Sequence, residues 1–208
     1  MSNSKIVIVD YGVGNFHSLY KAVSLFSKDV VLSEEAIDIE RASALILPGD
    51  GAFGTGMAGL KVRKLIEPVK NFISSGRPVM GICLGAQILL THGFEFGKVG
   101  GLNVISGDVV KFSDLRKGTK IPHIGWNTFS TFNKSPILKG LGGGSYFYFV
   151  HSYIMRPQSD ETILAISKYG GRSFPAIIGK DNVYGCQFHP EKSGEDGLKI
   201  IENFVNLI

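Results

Sequence analysis

Short unbroken apolar runs alternate with stretches of helical periodicity through the first ninety residues. Lys5-Ile-Val-Ile-Val9 is a continuous β-branched run, the mark of a strand covered on both faces in a parallel sheet. Residues 30–32 and 44–47 read as further strands, with a short helical stretch at 37–42 between them. Amphipathic spacing predicts helices over 16–26 and 57–73, the second broken near Pro68 and closed by Gly76. From about Leu102 the pattern changes to β-rich pieces at 104–112, 126–132, 146–155, 163–169, 176–179 and 183–188, with glycine turns such as 142–144 and 170–171 between them. A last amphipathic helix covers 197–207. The fold expected is α/β: a mostly parallel sheet with helices on both faces, plus a β-rich C-terminal half. No repeat or linker marks a boundary, so residues 1–208 are expected to form one domain.

Composition narrows the function classes. With 44% hydrophobic and 19% charged residues, the chain has the make-up of an ordinary folded protein. Its formal charge of +4 is spread without a Lys/Arg block, which argues against nucleic acid as a partner. Two cysteines, Cys83 and Cys186, exclude a disulfide scaffold and the common four-ligand zinc patterns. Met1-Ser2-Asn3-Ser4-Lys5 leads straight into a strand without a signal-peptide core, and no apolar run has the length of a membrane span. A protein of the reducing cytoplasm, away from membranes, is expected.

In parallel sheets ligands gather beyond the carboxyl ends of the strands. The loop at 10–15, the glycine-rich loop at 48–56 and Cys83 all fall at that edge. Gly12-Val-Gly14 suggests a dinucleotide turn, but His17 stands where the third glycine is required, so the fingerprint fails. Gly81-Ile-Cys83-Leu-Gly85 follows an apolar strand directly. Small neighbours are what a nucleophile on a crowded strand-to-helix turn needs, and a helix opening at Leu84 would turn its N–H groups towards the sulfur. A buried structural cysteine satisfies the turn equally well. His189-Pro-Glu191, at the end of another strand, supplies the missing parts: a base for the thiol and a carboxylate to hold the base's tautomer.

Gly81-Ile-Cys-Leu-Gly-Ala-Gln87 together with Gln187-Phe-His-Pro-Glu191 resembles the class I (triad) glutamine amidotransferases. Val9-Asp-Tyr-Gly-Val-Gly-Asn15, Pro122-His-Ile-Gly-Trp-Asn127, Phe149-Val-His-Ser-Tyr153 and Pro190-Glu-Lys-Ser193 narrow the likeness to the glutaminase subunits of imidazole glycerol phosphate synthases, over nearly the whole chain. The resemblance implies that Cys83 attacks the carboxamide of glutamine, with His189 as proton shuttle and Glu191 as its orienter. It implies an oxyanion site made by the N–H of Leu84 and one from the Gly49-Asp50-Gly51 loop. Gly51, Gln87 and the Ser152-Tyr153 backbone are the implied glutamine contacts. No cofactor or metal is implied. The implied partner is a separate (β/α)8-barrel cyclase of histidine biosynthesis, which takes the ammonia to make imidazole glycerol phosphate and aminoimidazole carboxamide ribonucleotide. Asn15, His123, Trp126 and Lys192 are the candidates for the face that meets it.

Two residues depart from the family pattern. Asp50 stands where the family's loop usually has valine, and a carboxylate there would oppose a developing oxyanion, so the resting loop is expected to be inactive until the partner rearranges it. Ala86 replaces the usual methionine and is expected to loosen packing behind the elbow. Other readings stay open at this point: a paralogue feeding ammonia to another acceptor such as a surface-sugar amidination system, a cysteine peptidase or γ-glutamyl hydrolase, or a non-catalytic binding subunit.

Overall fold

A computed structural model of the chain describes residues 4–142 and 144–208. The lead-in Met1-Ser2-Asn3 and the middle glycine of the 142–144 turn lie outside the described residues. The first half runs β1 (Ile6–Val9), α1 (Phe16–Ser24), β2 (Val30–Ser33), α2 (Ala36–Arg41), β3 (Ala44–Leu47), α3 (Phe53–Val62), α4 (Ile66–Ser74), β4 (Val79–Ile82) and α5 (Leu84–Gln87). The second half runs β5 (Leu90–Gly93), β6 (Val99–Gly100), β7 (Ile105–Lys111), β8 (His123–Asn127), β9 (Phe129–Thr131), β10 (Phe147–His151), β11 (Tyr153–Pro157), β12 (Ile163–Tyr169), β13 (Arg172–Lys180), β14 (Val183–Cys186) and α6 (Gly194–Val205).

The central sheet has eight strands in the order β2-β1-β3-β4-β14-β13-β12-β9. Its first five are parallel, and β13, β12 and β9 continue it antiparallel. Because side chains alternate along a strand, β1 feeds two separate cores. Ile6 and Ile8 pack with α1 and α6, whereas Val7 and Val9 pack with α3 and α4. All four are completely buried, as the unbroken apolar run requires. A four-stranded sheet (β11-β7-β5-β6) and a two-stranded ribbon (β10-β8) flank the large one. Among the described residues no helix is long and apolar enough to cross a membrane.

Three local expectations are corrected. The expected helix over 57–73 is two helices that part before Pro68, at residues 63–65, where Lys64 takes a positive φ of 58°. Pro68 itself sits in the first turn of α4, where a missing N–H removes no helical bond. The helix after Cys83 is one turn only, and the chain is a strand again by Leu90. So short a helix sums few peptide dipoles, and charge control at Cys83 falls to individual N–H groups and side chains. The 146–155 run divides at Ser152 into β10 and β11, which belong to different sheets.

Candidate active site

Each residue foreseen at the sheet edge is held there by a local device. Cys83 adopts φ 52°, ψ −107°, a region that side chains avoid, so the elbow is strained and must be held by its neighbours. The strand end fixes it from one side through the Cys83 N–H donated to the Cys186 carbonyl at 2.7 Å. Glycines fix it from the other. A Cβ on Gly85 would run into the carbonyl of Leu47, and one on Gly49 would stand 2.7 Å from Leu84 Cβ. Ala86 does not leave slack behind the elbow. It is fully buried, and a Cβ on Gly185 would stand 3.0 Å from its own.

His189 is locked through its backbone. Its N–H donates to the Tyr148 carbonyl at 2.9 Å, and Ser193 Oγ donates to the His189 carbonyl at 2.6 Å while accepting the Tyr148 N–H at 2.9 Å. On the ring, Nδ1 lies 2.8 Å from Glu191 Oε1, and both side chains are almost wholly buried. Burial pulls the imidazole pKa down, yet the neighbouring Cys83 and the hydrogen-bonded Glu191 outweigh it and raise it to about 10. The ring is therefore an imidazolium at neutral pH. The structure thus brings Cys83, His189 and Glu191 into one interacting set.

Asp50 enters this set from the 48–51 loop. Its Oδ1 lies 3.3 Å from His189 Nε2, close enough for an ion pair though not aligned as a hydrogen bond. The Leu84 N–H donates to the Gly49 carbonyl at 3.4 Å, so one of the two expected oxyanion donors is already occupied. Gly51 follows at φ 118° with nothing within 4 Å of where a Cβ would be, which leaves this peptide room to turn. Tyr11, completely buried, pins the start of the loop by donating its hydroxyl to the Pro48 carbonyl. Burial and the neighbouring Cys83 and Asp50 charges hold its phenol protonated.

A cleft of about 510 Å³ opens over the sulfur, lined by Asp50, Gly51, Cys83, Gln87, Ser152 and Tyr153, with Glu95 and Lys192 also on its wall. Two other hollows, of about 550 and 650 Å³, lie around the 180–183 turn at the opposite end of β14, and neither is lined by a cysteine or a histidine. Volume alone does not select the site; side-chain chemistry does. Among the described residues no group of three or more His, Cys, Asp or Glu side chains is placed to hold a metal ion.

Of the four residues expected on a partner face, three are accessible and one is not. Trp126 is 57% exposed, Asn15 is exposed while capping α1 through the Ser18 N–H, and Lys192 is half-buried at the cleft. His123 is 1% exposed. Strand alternation in β8 sends Ile124 and Trp126 outward and turns His123 into an aromatic cluster, stacked on Tyr169 and Phe149. There its Nδ1 lies 2.9 Å from His151 Nε2, and His151 Nδ1 lies 3.0 Å from the Tyr153 carbonyl. Burial lowers the two imidazoles to about 4 and about 3, so both are neutral.

Four residues at this site were given no role by the sequence: Tyr11, Glu95, Gln187 and Ser193. Glu95 accepts the Phe53 N–H at 3.0 Å at the start of α3 and reaches the cleft from the β5–β6 connection, which carries no recognisable motif. Gln187 and Ser193 stood inside quoted motifs, but only their contacts reveal what they hold.

Comparison with known proteins accords with this geometry. Residues 7–207 match the model of the "Glutamine amidotransferase class-I" family. The imidazole glycerol phosphate synthase subunit HisH of Caldanaerobacter subterraneus subsp. tengcongensis is 46% identical, the alignment covering 98% of each chain. The HisH of Methanocaldococcus jannaschii is 44% identical over 98% of this chain and all of its own, and that of Lactococcus lactis 43% over 98% and 99%. In fold, the PurLQS structure from Thermotoga maritima superposes with a TM-score of 0.72 at 21% identity, covering 98% of both chains. The chain belongs to the class-I glutamine amidotransferases, among the HisH subunits of imidazole glycerol phosphate synthase.

Proposed function

We propose that Cys83, His189 and Glu191 hydrolyse glutamine and that the ammonia passes to a separate (β/α)8-barrel cyclase, which uses it to make imidazole glycerol phosphate and aminoimidazole carboxamide ribonucleotide. The observation that carries this reading is the strained Cys83 beside an imidazolium whose far nitrogen rests on a buried carboxylate. The Cys83 sulfur adds to the carboxamide carbon, and the His189 imidazolium gives its proton to the departing nitrogen, so that ammonia leaves and a thioester remains. The neutral imidazole then takes a proton from water, whose oxygen adds to the thioester. Collapse releases glutamate and returns the proton to the Cys83–His189 pair. Gly51, Gln87 and the Ser152-Tyr153 backbone line the cleft in which glutamine would lie, and Glu95 offers a carboxylate to its α-ammonium group.

The oxyanion needs two N–H donors, and here one of them faces the Gly49 carbonyl. Turning the Gly49–Asp50 peptide would withdraw that carbonyl, release the Leu84 N–H and bring in the Asp50 N–H. The same turn would lift the Asp50 carboxylate from His189. The resting loop is thus closed twice, and opening it is the step a partner must drive.

The partner face is the outward side of the β8–β10 ribbon beside the cleft. Ile124, Trp126 and Tyr146 expose an apolar patch there, with Trp126 set edge-on against Tyr148. Trp126→Ala is expected to weaken binding of the cyclase about tenfold in a titration while leaving the thermal midpoint of the isolated chain unchanged. The two cores share one sheet, which supports a single domain over the chain. Its two unpaired cysteines, Cys83 and Cys186, suit the cytoplasm.

Co-purification with the cyclase tests the whole reading. Glutamate release is expected to be slow for the chain alone and to rise when the cyclase and its nucleotide substrate are both present. A rate unmoved by either, or release that needs a peptide substrate, would replace it with a stand-alone hydrolase.

A further inference from the structure

Two polar groups of the described residues lie within hydrogen-bonding reach of the Cys83 sulfur. One is the Val150 carbonyl at 3.8 Å, an acceptor that suits a thiol and opposes a thiolate. The other is the side-chain nitrogen of Gln187 at 3.9 Å. Whether Gln187 turns a nitrogen or an oxygen towards the sulfur is decided by hydrogen-bond direction, because one end of the network allows no choice.

That end is the Tyr153 carbonyl, which can only accept. Gln87 lies 3.1 Å from it and must therefore face it with its NH₂ group. The same Gln87 nitrogen lies 3.2 Å from Gln187, so the Gln187 atom there must be the carbonyl oxygen. Its NH₂ group is then left on the side of Cys83. Gln187 has no exposed surface and Gln87 is 5% exposed, so water does not compete for either amide. The second acceptor position on Tyr153 is taken by His151 Nδ1, with His123 behind it, so the anchoring carbonyl is held from two directions.

We infer that Gln187 is a further catalytic residue, whose side-chain N–H stabilises the Cys83 thiolate during attack on glutamine. The inference rests on Cys83 being the nucleophile. The donor belongs to the strand end that also carries His189, so two groups supporting the negative sulfur arrive on one rigid element. The imidazolium loses its proton to the leaving ammonia, whereas the amide keeps its proton throughout.

The test is the rate at which iodoacetamide alkylates Cys83 at pH 7, in the complex with the cyclase. Cys186 does not interfere, because it is wholly buried and burial pushes its thiol up. Gln187→Met and Gln187→Leu are expected to slow alkylation about tenfold and to lower kcat for glutamate release by a similar factor, with KM moved less than about twofold. A folded variant that loses turnover yet is alkylated at the wild-type rate would show that Gln187 only packs, and would overturn the inference. If neither variant folds, the unaltered side chain answers. One of the two Gln187 amide proton signals should move between the wild-type chain and Cys83→Ala, and signals that stay in place overturn the inference equally. The underlying reading fails differently, by full alkylation of Cys83 that leaves glutamate release intact.

Discussion

Cys83→Ala is expected to abolish glutamine-dependent synthesis by the assembled synthase, by about 10⁴-fold or more, and to leave synthesis from added ammonium salts within about twofold of wild type. The split follows from dividing the chemistry between two chains. On the proposed function, the sulfur is needed to release ammonia and does nothing once ammonia is supplied from solution. The substitution removes one atom from a side chain that is 7% exposed, so little packing is lost. Parallel assays with glutamine and with ammonium chloride measure the two activities on one preparation. Loss of both together would mean that Cys83 holds the subunits or the elbow in place and takes no part in releasing nitrogen.

Asp50→Val is expected to raise the glutaminase rate of the chain without its cyclase on the order of a hundredfold, because an unoccupied oxyanion donor is worth about 10²–10³ in rate. With cyclase and nucleotide present the two forms should differ by no more than about threefold, since the proposed opening would then apply to both. The carboxylate does two things in the resting state. It lies 3.3 Å from His189 Nε2, on the side from which Cys83 must be served, and it accompanies a loop whose Gly49 carbonyl takes the Leu84 N–H. Asp50→Asn keeps the shape and removes the charge, so an intermediate rate is expected from it. Steady-state glutamate release for the three forms, each with and without the cyclase, decides the matter. Equal rates throughout would show that the closed loop is held by its backbone alone.

The parallel half of the fold could be read almost directly, because a strand buried on both faces leaves an unbroken apolar run and its helices leave periodic ones. Residues 6–9, 44–47 and 79–82 are of this kind. The second half was harder. Its strands are short, and their sheet membership depends on partners far along the chain: β10 pairs with β8 while β11, one residue later, pairs with β7. The pattern predicts the break between α3 and α4 near Pro68, yet a proline in a first turn does not interrupt a helix. The chain parts earlier, at Lys64, where the backbone is left-handed.

At the site, the order of residues along the chain determined which groups have the chemistry: a cysteine between glycines at a strand end, and a histidine and glutamate spaced by proline at another. Those are local facts, since turn geometry and residue type are set by neighbours in sequence. Tertiary structure alone decided how the groups are occupied at rest. Asp50 reaching His189, the Gly49 carbonyl on the Leu84 N–H, and the directed path from the Tyr153 carbonyl through Gln87 and Gln187 to the sulfur are contacts between segments about 35 to 140 residues apart. His123 shows the limit most plainly. Its motif suggested a surface role, but alternation along β8 gives the surface to Ile124 and Trp126 and sends the imidazole inward, because which face of a strand is covered depends on what the rest of the chain lays against it.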